Sequence, residues 1–346
     1  MQDKHYYVIF LLSEIFINII FTGFIIFEPS ETSTDLFHKR CISTSESLVS
    51  ISIDGNYELQ SNSKVTGNGT WSNPYTIENY EFSGAYSGNR IEIQNTNKPL
   101  VIQNCTIQNF TTAIYIQNVS NVEIINSSFI NGTDAFDLSN VNDIKITIAI
   151  LRGIEGKGFK IKNSFNVTIF NSSAQGIGET YDCEGIKAFD SKKIALKYST
   201  FWNFHKSCFF TNVSYCYFRY NHFFLTYEAL DWDGELQLEE DTDNVIFEHN
   251  FLQNMTYNGL EIYKSKNYTI QFNTIENVNA GLRMVKPPLS DIRFKNNTIK
   301  FAELNINGTI NLNISGNDIT NGSINLSNSS RVRIDHNNFC NGFIVV

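Results

Sequence analysis

The chain has 346 residues, a formal net charge of −9 and a pI near 5.2, which excludes nucleic acid as its partner because such a protein needs a basic face. Only 18% of residues are charged and 14% are aromatic, a mixture too apolar for disorder. Abundant Ile, Phe, Tyr and Thr favour strands, and abundant Asn, Gly and Ser favour turns.

In chain order, the first candidate element is apolar. Tyr6 to Phe27 reads YYVIFLLSEIFINIIFTGFIIF, long enough as a helix to span a bilayer. No A-x-A-like cleavage site comes after Phe27, which favours an uncleaved anchor over 1–27 rather than a removed signal peptide. Glu14 and Asn18 weaken the segment as a spanning helix. Residues 28–66 read as a linker and N-terminal cap, with SLVSISIDGNYEL (47–59) alternating as if to cover the first coil of a repeat that begins near residue 67.

Seventeen N-x-S/T sequons lie between Asn68 and Asn328, among them those of Asn131, Asn212, Asn254 and Asn307. Such sites accept glycans only outside the cytosol, so they point to a glycoprotein at the cell surface or beyond it. The six cysteines (41, 105, 183, 208, 216 and 340) form neither a C-x-x-C pair nor a zinc spacing. Cys183 and Cys208, in neighbouring repeat units, are the first candidates for a disulfide; the alternative is buried free thiols.

From residue 74 onward the sequence repeats. NVEIINSSF (121), NVTIFNSSA (166), NVIFEHNFL (244), NYTIQFNTI (267), DIRFKNNTI (291), NLNISGNDI (311) and RVRIDHNNF (331) are copies of one unit, and weaker copies begin at 74, 99, 143, 193 and 215. Each unit also carries a second strand, as in AIYIQN (113), GFKIKN (158), GLEIYK (259) and GLRMVK (281). Alternation places one set of side chains inward and the next outward. No unit has room for a crossover helix. Strands this short cannot bury a core singly but can when stacked. The expected fold is all-β, a parallel β-helix solenoid of about twelve coils over 67–346, preceded by the N-terminal hydrophobic helix, with Asn ladders at its corners.

The V-x-I-x-x-N-x-F units and their G-I-x-I partners resemble the single-stranded, right-handed parallel β-helix repeats of the pectin-lyase-like superfamily. They look closest to its NosD-type and carbohydrate-binding/sugar-hydrolase repeats. GNGTWSNPYTIENYEF (67–82) is similar to the leader of exported archaeal β-helix surface proteins. The resemblance implies fold more than activity, since this scaffold hosts lyases, hydrolases, epimerases, adhesins and non-enzymes. V-x-I-D-H at 332–336 resembles a string near pectate-lyase active sites, but no R-x-P-x-x-R motif accompanies it. Asp335 and His336 align with Glu248 and His249 of another unit and read as a rung. The copper handling suggested by a NosD-like resemblance finds little support in three Met and unpaired His and Cys.

Breaks in the period point to a site. Two units carry longer insertions at one corner, QGIGETYDCE (175–184) and FLTYEALDWD (224–233), which would wall a cleft floored by Trp202 and His205. Tyr181, Asp182 and Glu184 on one wall, and Tyr227, Asp231, Trp232 and Asp233 on the other, suit a sugar: aromatic faces stack on its rings and carboxylates accept its hydroxyls. A polysaccharide lyase or glycoside hydrolase is the alternative, with Asp182 paired to Asp231 or Asp233 at roughly 5–10 Å, or Lys187 as a base, although the three to four coils between it and Arg283 put the Lys187, Glu261 and Arg283 line too far apart for one reacting centre. No catalytic set is assigned. EEDTD (239–243) makes Asp241 and Asp243 weak Ca²⁺ ligands, and no other cofactor is implied. The sequence thus describes an exported, membrane-anchored β-helix contacting a polysaccharide or glycan; an envelope protein with no ligand is the third reading. The final apolar strand, FIVV, is an edge that invites self-association.

Overall fold

One repeat is one turn of a solenoid with three extended faces. The computed structural model describes residues 46–84, 88–178, 182–224, 235–238, 242–255, 258–285 and 287–346. The apolar segment at 1–27 and Cys41 lie outside the described residues. Among the described residues no helix is long and apolar enough to cross a membrane.

Face 1 is built from the V-x-I strands, from Tyr75–Glu78 and Leu100–Gln103 through to Ser330–Asp335. Face 2 runs from Tyr80–Phe82 to Asn338–Cys340. Face 3 carries the G-I-x-I strands, from Asn89–Thr96 to Phe343–Val345. The named strands pair in parallel with the equivalent strand one coil away. Twelve strands stack on face 1 and span about eleven turns. The segment around 47–59 is itself coiled: Glu46–Leu48 pairs with face 2 and Ile51–Asp54 with face 3, and helix α1 (Gly55–Ser61) then buries Leu59.

The register explains the core. Ile77, Ile102, Ile124, Ile146, Ile169, Leu196, Phe218, Phe247, Ile270, Phe294 and Ile314 lie over one another in successive coils. All are buried. A slip of one residue would turn the whole column to solvent, so the period of two enforces the register.

Corners obey a different rule. Each requires left-handed backbone, and 23 of the 37 non-glycine residues with positive φ among the described residues are Asn. Asn tolerates this region because its short amide bonds locally. Inside the corner between faces 1 and 2 runs a buried ladder. The Nδ2 groups of Asn221, Asn250, Asn273, Asn297 and Asn317 each donate to the Oδ1 of the next asparagine at 2.8–3.1 Å, ending on Asn337. Ser199 and Ser172 continue it upward through backbone N–H donors. Each buried carboxamide is thereby satisfied, which makes burial of so much Asn tolerable.

Cys183 and Cys208 are separate buried free thiols, so the expected disulfide is replaced by packing. Burial disfavours the thiolate in both, and at Cys105 it pushes the thiol up to about 11. In the final coil Phe343 and Ile344 are exposed.

Candidate functional site

The expected cleft is described only in part, because Tyr181, Tyr227, Asp231, Trp232 and Asp233 lie outside the described residues. Of the others, Asp182 is exposed and faces Lys157 Nζ at 3.4 Å. Glu184 is 4% exposed and tied to Lys187 Nζ at 3.1 Å. His205, also 4% exposed, sits beneath the surface rather than on a cleft floor. Glu184 lies in register with Lys157 and Lys206 of the adjacent coils, which cover it along with its Lys187 partner.

Lys187 and Arg283 are as far apart as their spacing in the repeat implies. The face 3 register places Phe209, Gln237 and Glu261 between them, four rungs and roughly 19 Å at ~4.8 Å per rung. This line is an ionic ladder: Lys160 pairs with Asp137 at 2.9 Å and Arg283 with Glu261 at 2.7 Å. Asp241 lies outside the described residues. The Asp243 carboxylate accepts the Lys266 backbone N–H at 2.8 Å, a turn contact. Among the described residues no group of three or more His, Cys, Asp or Glu is arranged to hold a metal ion. Asp335 is bonded by Arg333 at 2.6 Å, which holds its carboxyl below the usual range. His336 shares the positive-φ corner column with His249.

Trp202 leads to what the sequence reading missed. It is half-buried on face 2 and stacks on Phe224, with 6.0 Å between ring centroids and 4° between planes. His222 stacks on Phe251 at 4.8 Å. At the adjacent corner, Tyr198, Tyr220, His249 and Phe272 form a continuous stack with centroids 4.9, 4.9 and 5.0 Å apart. Phe170 meets its upper end edge-on. Tyr198 is 50%, Tyr220 36% and Phe272 46% exposed, so the ladder shows large rings to solvent over four coils.

These residues occupy a corner position that other coils fill mostly with Asn (104, 126, 171 and 296), and otherwise with Ile148, Gly316 and His336. The four ring residues have φ between 54° and 57°. A bulky side chain in left-handed backbone costs about 1–2 kcal/mol where Asn sits with little strain. Ring stacking returns about 0.5–1.5 kcal/mol per pair, so the column is tolerated without being favoured over asparagine. The signal was legible. The sixth residue of successive units reads N (126), I (148), N (171), Y (198), Y (220), H (249), F (272) and N (296).

Polar groups flank the rings on face 1. Glu248 accepts the Tyr217 hydroxyl at 2.8 Å and the Gln271 amide at 2.9 Å, with Arg219 Nε 3.3 Å away. Desolvation alone would raise the Glu248 carboxyl, but these bonds outweigh it and hold it below the ordinary value. Burial lowers His222 to about 4, leaving its ring neutral at pH 7. The result is an apolar stacking surface bordered by a fixed carboxylate, an amide and a guanidinium, the mixture that fits a pyranose ring.

Of the sequon residues, Asn131 and Asn254 are exposed, and the Asn307 Oδ1 accepts from Asn328 and Ser327. Asn212 donates its Nδ2 to Asp190.

A family model described as a right-handed β-helix region matches residues 42–180. Comparison with curated protein sequences gives no match. Among solved structures, the chain is similar to the surface adhesin PfbA of Streptococcus pneumoniae, at 14% identity and a TM-score of 0.46, covering 75% of this chain and 86% of that one. It is similar to the Dettilon tailspike protein at 16% identity and 0.44, covering 70% and 56%. It is also similar to the A-module of a mannuronan C-5 epimerase of Azotobacter vinelandii at 10% identity and 0.43, covering 79% and 88%. The likeness is one of solenoid architecture.

Proposed function

We propose that this chain is an exported β-helix that displays a carbohydrate-contacting surface at the cell envelope, held there by its N-terminal apolar segment. The aromatic ladder Tyr198–Tyr220–His249–Phe272, with Trp202 and Phe224 beside it, is the contact surface. One observation carries the reading: bulky rings stand exposed, in strained backbone, where the repeat mostly uses Asn. Strain of this kind persists where a site needs it. Glycosylation at exposed sequons belongs to the same proposal.

Binding to immobilised glycans, with and without Ca²⁺, tests this, with release of reducing or unsaturated ends read in the same samples. Binding without product is expected, falling by about tenfold or more in Tyr220→Ala and Phe272→Ala, the effect of losing one stacked ring or two. Unchanged binding in the double variant overturns the placement. Product formation lost in Asp182→Ala or Asp231→Ala moves the chain to the lyase or hydrolase alternative.

A further inference from the structure

We infer that a second ligand site lies where face 3 turns into face 1, at Phe165, Lys192, Lys193 and Tyr215, and that it takes an acidic sugar unit bearing carboxylate or sulfate. The inference rests on the carbohydrate reading above and narrows the glycan concerned.

The corner breaks the repeat in the same manner as the ladder. The first residue of successive units, all with positive φ, reads Asn121, Asp143, Asn166, Lys193, Tyr215, Asn244, Asn267 and Asp291. Elsewhere along this line the side chains hydrogen-bond from coil to coil, as Asn267 does to Asn244 and Asn311 to Asp291. At Lys193 and Tyr215 that ladder is replaced by a cation and a ring, with φ of 58° and 61°.

The lysines are placed for an anion. Lys193 Nζ lies 4.6 Å from the Phe165 ring centroid and Lys192 Nζ 4.9 Å from that of Tyr215. Both ammonium groups form no ion pair with a carboxylate among the described residues. A ring covers one side of an ammonium and is worth about 0.5–1 kcal/mol at an exposed site, leaving N–H donors for a ligand. Beside them opens a shallow groove of about 410 Å³, lined by Phe165 and Lys192 and also by Asp190 and Asn212, with Lys193 and Tyr215 outside its lining. Asp190 faces the same groove, where its Oδ1 accepts Asn212 Nδ2 at 2.8 Å; Lys192 lines the groove with it and Lys193 adds a second cation at the adjoining corner. Residues 157–206 hold eight Lys against four Asp or Glu, in a chain whose net charge is −9. Phe165 and Tyr215 are both exposed and present faces on which a sugar ring can stack. Rings together with unpaired cations select an acidic ring over a neutral one, and over a bare anion.

Retention of the full chain on three immobilised polymers is the test: hyaluronan (carboxylated), dextran sulfate (sulfated) and dextran (neutral). The variants are Lys192→Ala/Lys193→Ala and Lys192→Arg/Lys193→Arg. All four side-chain changes are at exposed positions, and thermal melts confirm folding. The wild type should hold one or both acidic polymers, and raising salt from about 50 mM to about 200 mM should weaken that binding several-fold. The alanine pair should lose about tenfold on acidic polymers only, and the arginine pair should recover it. An alanine pair that binds acidic polymers like wild type overturns the inference. So does inorganic phosphate that competes as well as the polymers, or mass mapping that finds a glycan on Asn212 filling the groove. Loss of all glycan binding in Tyr220→Ala with an unaffected lysine pair leaves the ladder standing and removes only this site. No binding to any glycan by the wild type removes both.

Discussion

At the corner after face 1, the middle coils present Tyr198, Tyr220, His249 and Phe272, whereas the later coils present Asn296, Gly316 and His336. Beneath both runs the same asparagine ladder, from Asn221 to Asn337, and the same apolar column. The two regions are one scaffold with different exteriors. Inward positions are constrained by every neighbouring coil; outward positions meet only solvent and the residue one coil away. Departures from the repeat on the outside therefore carry functional information that departures on the inside do not.

The largest expected effect breaks what the regions share. Asn273 and Asn297 each receive the N–H and the Nδ2 of the coil before, and donate to a backbone carbonyl and to the next asparagine. Asn273→Ala and Asn297→Ala should each cost about 4 kcal/mol, by leaving several buried polar groups unpaired. Urea denaturation should show equal losses; a cost confined to one region would mean that the interiors differ.

His222 comes next, and only the middle coils should respond. Its folded-state value, about 4, lies below the ordinary histidine value of 6.5. A neutral buried ring gives stability that is fully present above about 6.5 and lost as pH falls toward 4, by up to about 3 kcal/mol. His222→Phe keeps the stacking on Phe224 and Phe251 and should flatten that part of the urea-midpoint profile between pH 7 and pH 4.5.

The smallest effects on stability exchange the exteriors. Tyr220→Asn relieves left-handed strain but loses two stacked neighbours, so it should alter stability by no more than about 1 kcal/mol. It should still abolish most glycan retention. Asn296→Tyr places a ring in the Asn column beside Phe272 and should cost about 1–2 kcal/mol, less whatever stacking it gains. A thermal melt that shows Asn296→Tyr costing well over about 2 kcal/mol would mean that the corner backbone of the middle coils, and not ring stacking, is what accommodates the rings there.

Much of this was legible in the chain itself. Strand alternation and Asn-rich turns marked the solenoid, and the sixth and first positions of the repeat already spelled Tyr198–Tyr220–His249–Phe272 and Lys193–Tyr215. Reading the longer insertions as the site drew attention to Glu184 and His205, which the structure buries. Whether a polar residue near a corner points in or out depends on where the extended backbone resumes, and that is set by pairing with adjacent coils.

The sequence by itself determined the period, the inward apolar set and the use of asparagine at corners, because these depend on local alternation and on single-residue backbone preferences. The tertiary structure alone decided which outward residues became neighbours. Tyr198 and Tyr220 are 22 residues apart and Tyr220 and His249 are 29 apart, yet their rings stack at the same 4.9 Å. Coils of unequal length are brought into register by parallel pairing and by the buried ladder, and that long-range register places the rings and lysines together.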